Sequence, residues 1–109
     1  MNTLNLPEPI AAYFAADRKK PEALARCFTP QAVVKDEGHT HSGIDAIKAW
    51  KAAASTRYTY TTEPLALEQK EGSQVVTSRV VGSFPGSPVV LRYRFCLERG
   101  LIASLEIAP

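Results

Sequence analysis

The residues best suited to chemistry fall in the run Ala32-Val33-Val34-Lys35-Asp36-Glu37-Gly38-His39-Thr40-His41-Ser42-Gly43, which sets one carboxylate and two imidazoles between an apolar strand and the start of a helix. Proton transfer is the chemistry such a set suits. In an extended segment over 32–37 the side chains alternate, so Asp36 shares a side with Ala32 and Val34 while Val33, Lys35 and Glu37 point the other way. A carboxylate held against apolar neighbours loses hydration, which raises its pKa and makes it a better proton acceptor than a solvated Asp. Asp followed by Glu-Gly at a strand end is also ordinary turn chemistry, and both readings of Asp36 stand at this level.

The histidines carry two further readings. His41, beside a helix start, titrates near neutral pH and can relay protons to Asp36 or to a ligand. A metal reading would join His39 and His41 to Asp36, but no third or fourth ligand follows at a suitable spacing, so neither metal nor other cofactor is expected. Trp50, Tyr58, Tyr60 and Phe84, with Phe14, Val34 and Tyr93, are candidates to line a pocket for a flat, small apolar or aromatic ligand. For each of them, packing into an ordinary core is the competing explanation.

These side chains need a frame, and the chain reads as a helical front and a stranded back divided near Arg57. Asn5 with Glu8 resembles a capping box, and Pro7 is tolerated in a first turn, so a helix is expected to about Asp17 with Leu6, Ile10, Tyr13 and Phe14 as its apolar stripe. A second helix is expected from Pro21 through Phe28, carrying Leu24 and Cys27 and stopped by Pro30. After the Asp36 strand, Ser42 is expected to cap a third helix whose Ile44, Ile47, Trp50 and Ala54 face inward and whose Lys48 faces solvent. Four segments rich in Val, Tyr, Thr and Phe follow, at 57–67, 74–84, 89–97 and 101–107, joined by connectors of hairpin length. They predict an antiparallel meander in which Leu91, Tyr93, Phe95 and Leu97 on one strand, and Leu101, Ala103, Leu105 and Ile107 on the next, pack under the helices. Helices followed by antiparallel strands make an α+β fold.

Composition narrows the function. The 109 residues suit a single domain spanning 1–109, and 45% hydrophobic content suits a globular chain. Thirteen basic against 11 acidic residues leave a net charge of +2, too balanced for a nucleic-acid or anionic-membrane partner. Arg92 and Arg94, with Arg79 on a possible neighbouring strand, fit an outer sheet face or a subunit contact. Cys27 and Cys96 form no motif, no secretory signal is visible and no apolar run approaches a membrane span, so the chain reads as cytoplasmic.

The order of elements, together with Phe28-Thr29-Pro30-Gln31-Ala32-Val33-Val34-Lys35-Asp36-Glu37-Gly38, Thr40-His41-Ser42-Gly43-Ile44-Asp45-Ala46-Ile47 and Phe84-Pro85-Gly86-Ser87-Pro88, resembles the nuclear-transport-factor-2-like superfamily and, within it, small SnoaL-like bacterial proteins. The resemblance implies a curved sheet and helices enclosing a cone-shaped cavity, and a homodimer formed through the sheet's outer face. Ketosteroid isomerases and SnoaL-like polyketide cyclases carry a general-base Asp at the position Asp36 matches. An oxyanion-donating Tyr on the isomerase's first helix corresponds to Tyr13. The isomerase's second donor, a protonated Asp, has no counterpart here, and Tyr93 lies nearest to its place. The implied activity is that of a cofactor-independent isomerase, cyclase or dehydratase in which Asp36 abstracts a proton from a small apolar carbonyl compound and His41 assists its return. The alternative is a ligand-binding or dimerising domain without turnover.

Overall fold

The computed structural model describes residues 5–16, 21–57 and 59–109, apart from the side chains of residues 21 and 54–57. The elements run α1 (Glu8–Ala16), α2 (Pro21–Ala25), β1 (Phe28–Asp36), β2 (His39–Ser42), α3 (Ile44–Arg57), β3 (Tyr60–Lys70), β4 (Ser73–Gly82), β5 (Val89–Glu98) and β6 (Leu101–Ala108). The fold is α+β, a six-stranded curved sheet of order β2-β1-β6-β5-β4-β3 with the helices packed on it. The meander from β3 to β6 is antiparallel as its short connectors require, and β1 docks parallel to β6. No helix among the described residues is long and apolar enough to cross a membrane.

Several boundaries differ from the sequence expectation. The first bonds of α1 run from Ile10 N and Ala11 N to Pro7 O, so Pro7 and not Asn5 sits at the cap, and Pro9 falls in the first turn, where its missing N–H goes unneeded. Phe28 opens β1 instead of closing a helix, and Pro30 lies inside that strand. It is tolerated because the β1–β6 register shifts between Phe28 and Val33, while β2 pairs only from Val33 onward, so Pro30 faces no ladder partner. Ser42 ends β2; Gly43, at φ +88°, takes the capping place, its carbonyl accepting from Ile47 N and its N–H donating to Ala32 O. The expected end at Asp17 lies outside the described residues.

Glu37 and Gly38 both adopt positive φ, the geometry of a two-residue hairpin turn whose twist matches the strands, and they set Asp36 opposite His39. In β5 the expected alternation holds, with Tyr93 and Phe95 buried between exposed Arg92 and Arg94. In β6 it breaks: Cys96 pairs with Ser104 but Leu97 with Ile102, so one extra residue, Ala103, bulges and turns Ile102 into the core. Ile10, Tyr13, Leu24, Ile47, Val34, Phe95, Ile102 and Leu105 join helices and sheet in one apolar cluster.

Candidate active site

One face of this core opens into a cavity of about 760 Å³ whose wall includes Tyr13, Asp36, Trp50, Tyr60, Phe84 and Tyr93. Asp36 reaches it for the reason read from the sequence: Ala32 and Val34 are fully buried, and the next same-side residue of β1, half-buried Asp36, continues their face into the cavity. Burial raises the Asp36 carboxyl above the usual range. A hydrogen bond from Trp50 Nε1 to Asp36 Oδ2 at 3.0 Å opposes that shift, the Glu37 charge adds to it, and His41 opposes it weakly.

Two phenols share the cavity. Tyr13 projects from α1, is fully buried and touches the rings of Phe14, Phe28, Tyr93 and Phe95 edge-on or tilted. Its hydroxyl has no hydrogen-bond partner among the described residues. Burial drives its pKa well above the ordinary phenol range, and the charges of Tyr93, Tyr60 and Asp36 add to the shift. Burial likewise pushes Tyr93 up to about 12, partly offset by a hydrogen bond with Thr62 and reinforced by Asp36. Both phenols therefore hold their protons at neutral pH and are suited to donating hydrogen bonds to an oxygen that gains charge.

The sequence reading missed Lys51. It occupies the wall beside Trp50, is only 5% exposed, and donates a hydrogen bond to the Tyr60 hydroxyl. Its Nζ lies 5.0, 5.3 and 6.0 Å from the ring centroids of Tyr60, Trp50 and Tyr13. Desolvation lowers its pKa to about 7. The signal was present, since Lys51 stands one turn beyond Ile47 and so on the apolar stripe of α3, but a lysine there reads as solvent-facing unless a cavity is known.

The other expected site residues divide. His39 lies on the cavity rim opposite Asp36, whereas His41 is half-buried and tilted against the Trp50 ring at 5.9 Å, off the cavity wall. Phe14 and Val34 stand behind the wall, Phe14 against Tyr13, Tyr93 and Phe95, and Val34 within the core. Tyr58 lies outside the described residues, as does the Ala54 side chain. Phe84 is set at the cavity by the 83–88 connector, which is fastened to the start of β3 by Ser83 N to Thr59 O at 2.9 Å and Thr59 N to Ser83 Oγ at 3.2 Å. Among the described residues no group of three or more His, Cys, Asp or Glu is placed to hold a metal ion.

A curved, mostly antiparallel sheet and helices around a pocket with an acid and two phenols on its wall define a cone-shaped α+β protein of the nuclear-transport-factor-2-like class. The SnoaL-like domain profile matches residues 10–104, and the chain belongs to that family. The solved structures it is similar to include a candidate polyketide cyclase from Sinorhizobium meliloti, 42% identical, with a TM-score of 0.92 over 98% of this chain and 99% of that one. A Catenulispora acidiphila protein with a ketosteroid-isomerase-like fold, in complex with trimethylamine, aligns at 19% identity and a TM-score of 0.84 over 96% of this chain and 87% of that one. SalBIII, an epoxide hydrolase/cyclase-like enzyme of pyran ring formation in salinomycin, aligns at 20% identity and a TM-score of 0.79 over 93% and 87% of the two chains. These last two speak for the fold alone. A comparison with curated proteins found no match.

Proposed function

We propose that the protein is a cofactor-independent acid–base enzyme acting on a small, mostly apolar carbonyl compound. The observation that carries this is the half-buried Asp36 carboxylate, its pKa raised by burial, in one cavity with the buried phenols of Tyr13 and Tyr93. Asp36 takes a proton from the carbon next to the carbonyl, the C–H electron pair moves into the new C=C bond, and the carbonyl oxygen gains negative charge. Tyr13 or Tyr93 donates a hydrogen bond to that oxygen. Return of the proton elsewhere gives isomerisation, loss of a β-hydroxyl gives dehydration, and attack of the enolate carbon on a second carbonyl gives ring closure. The 42% identity to a candidate polyketide cyclase supports a carbonyl-rich ligand. His41 acts behind the wall, through Trp50 and the Asp36 charge, rather than on the ligand.

Deuterium exchange into the α-position of simple ketones, followed by NMR, tests the reading without knowledge of the natural substrate. Asp36→Asn is expected to slow exchange by a factor on the order of 10² or more. Equal exchange by wild type and variant would refute it.

A binding role without turnover is the second reading, and the Trp50–Asp36 hydrogen bond favours it by giving the carboxylate a structural task. The proposal also includes a homodimer through the outer sheet face, where Val90 is 53% exposed between Arg79 and Arg92, and a cytoplasmic setting, in keeping with two free thiols.

A further inference from the structure

Lys51 has no part in the acid–base scheme, yet it is the most deeply buried charged side chain on the cavity wall. The inward face of α3 carries it between the rings of Tyr13, Trp50 and Tyr60, with the Tyr60 hydroxyl at hydrogen-bond distance from Nζ. An amine walled by apolar rings beside a proton-carrying phenol is the arrangement in which a lysine acts as a nucleophile toward carbonyl carbon.

We propose that Lys51 is a second reactive group of this cavity, its ε-amine adding to a small ketone or aldehyde and holding it as an imine. The proposal rests on the reading of the ligand as a carbonyl compound. The nitrogen lone pair forms the C–N bond while the C=O π pair moves to oxygen, which takes up a proton. The nitrogen gives up one proton, a further proton reaches the hydroxyl, and as the nitrogen lone pair forms the C=N bond the C–O bond breaks and water leaves. One amine, one carbonyl and one proton thus give one protonated imine and one water, with no oxidant or reductant. Tyr60 is placed to pass the proton between nitrogen and departing oxygen. Once protonated, the imine draws electrons from the neighbouring C–H more strongly than the carbonyl did, and this makes that proton easier for Asp36 to remove. Burial supports the step, because with a pKa of about 7 roughly half of the amine is neutral at pH 7, against about one part in three thousand for an ordinary lysine.

Treatment of the full chain with benzaldehyde and cyanoborohydride at pH 7, followed by peptide mapping, reads the imine as a stable benzylamine. Lys51 is expected to be labelled on the order of 10²-fold faster than the exposed Lys35 and Lys70, and the label at the amino terminus, whose ordinary pKa is near 8, is mapped apart. Lys51→Met should lose this label and still unfold in one cooperative thermal transition; Asp36→Asn should keep the label. Quenching of Trp50, the single tryptophan, reports entry of the aldehyde. Quenching with Lys51 labelled no faster than Lys35 and Lys70 overturns the imine and leaves the carbonyl-binding cavity standing. Neither quenching nor preferential labelling overturns both. Labelling of Lys51 in a protein whose ketone exchange is indifferent to Asp36→Asn upholds the imine and removes the acid–base role of Asp36.

Discussion

Where Leu24, Phe28, Phe95 and Ile102 meet, every large side chain is apolar and at most 3% exposed; around the cavity, Tyr13, Asp36, Lys51 and Tyr93 bring four titratable groups into or against the same interior. The first region gains stability from nearly every atom it buries. The second loses some, because desolvation shifts all four groups toward their neutral forms and leaves the Tyr13 hydroxyl without a hydrogen-bond partner among the described residues. The contrast marks the cavity as the candidate site by its cost: a fold selected for stability alone has little reason to keep these groups inside.

Substitutions should therefore behave oppositely in the two regions. Phe95→Ala empties a fully buried site beside Tyr13 and Phe14 and is expected to cost about 3–5 kcal/mol in denaturant unfolding, the largest single effect here. A loss below about 1 kcal/mol would mean that the packed region is no tighter than the cavity.

Asp36→Asn should act the other way. The folded state raises the Asp36 pKa and so binds more protons than the unfolded chain above the ordinary value, and wild-type stability falls as pH rises through the raised pKa. Asn avoids that loss and can still accept from Trp50, so at neutral pH the variant is expected to unfold at the same temperature or a higher one while exchange falls by on the order of 10². A clear drop in thermal midpoint with unchanged exchange would make Asp36 a turn residue and favour the binding reading.

How far this contrast could be read from sequence depended on local pattern. Asp36 was legible because three same-face residues of β1 carry their pattern to the cavity without interruption, and the meander because its connectors are short, two of them two-residue turns and the third the 83–88 segment. β2 was not, since His-Thr-His-Ser has no apolar alternation and pairs by virtue of the Glu37–Gly38 turn alone. Ile102 was misplaced because a bulge is a pairing event between strands, and Phe28 because its four-residue spacing from Leu24 imitates a helix. Lys51 required the cavity itself to be known.

Lys51 sharpens the comparison through pH. Its folded pKa of about 7 lies below the unfolded 10.5, so between these values the unfolded chain binds more protons and stability rises with pH, at a slope of at most about 1.4 kcal/mol per unit. Tyr13 and Tyr93, whose pKa values are raised, contribute the opposite limb: above about pH 10 the unfolded phenols ionise first and stability falls again. Thermal scans from pH 6 to 11 should show this rise and fall, and Lys51→Met should be more stable than wild type at pH 7 and lose its advantage by pH 10.5. A flat profile shared by both proteins would place the amine in water.

The outer sheet face offers a smaller effect. Val90→Glu adds a charge at the centre of the proposed subunit contact and is expected to weaken dimerisation at least tenfold, about 1.4 kcal/mol, as read by light scattering across a dilution series. Wild type that is monomeric at every concentration would end the dimer proposal and leave Arg92 and Arg94 as solvated charges.

The smallest expected effect lies at the seam between the two regions, where Trp50 is both packed to 9% exposure and the donor to Asp36. Trp50→Phe keeps most of the apolar contact and removes the N–H. That hydrogen bond holds the Asp36 pKa down against burial, so its loss should raise the pKa further, and the acid limb of the exchange–pH profile should move to higher pH. Above that limb a stronger base remains, so the plateau rate should stay within a few fold of wild type, and stability should fall by roughly 1 kcal/mol for one neutral donor removed. If the limb stays in place while the plateau collapses, Trp50 positions the ligand and does not tune the carboxylate, and the line between packing and chemistry runs on its other side.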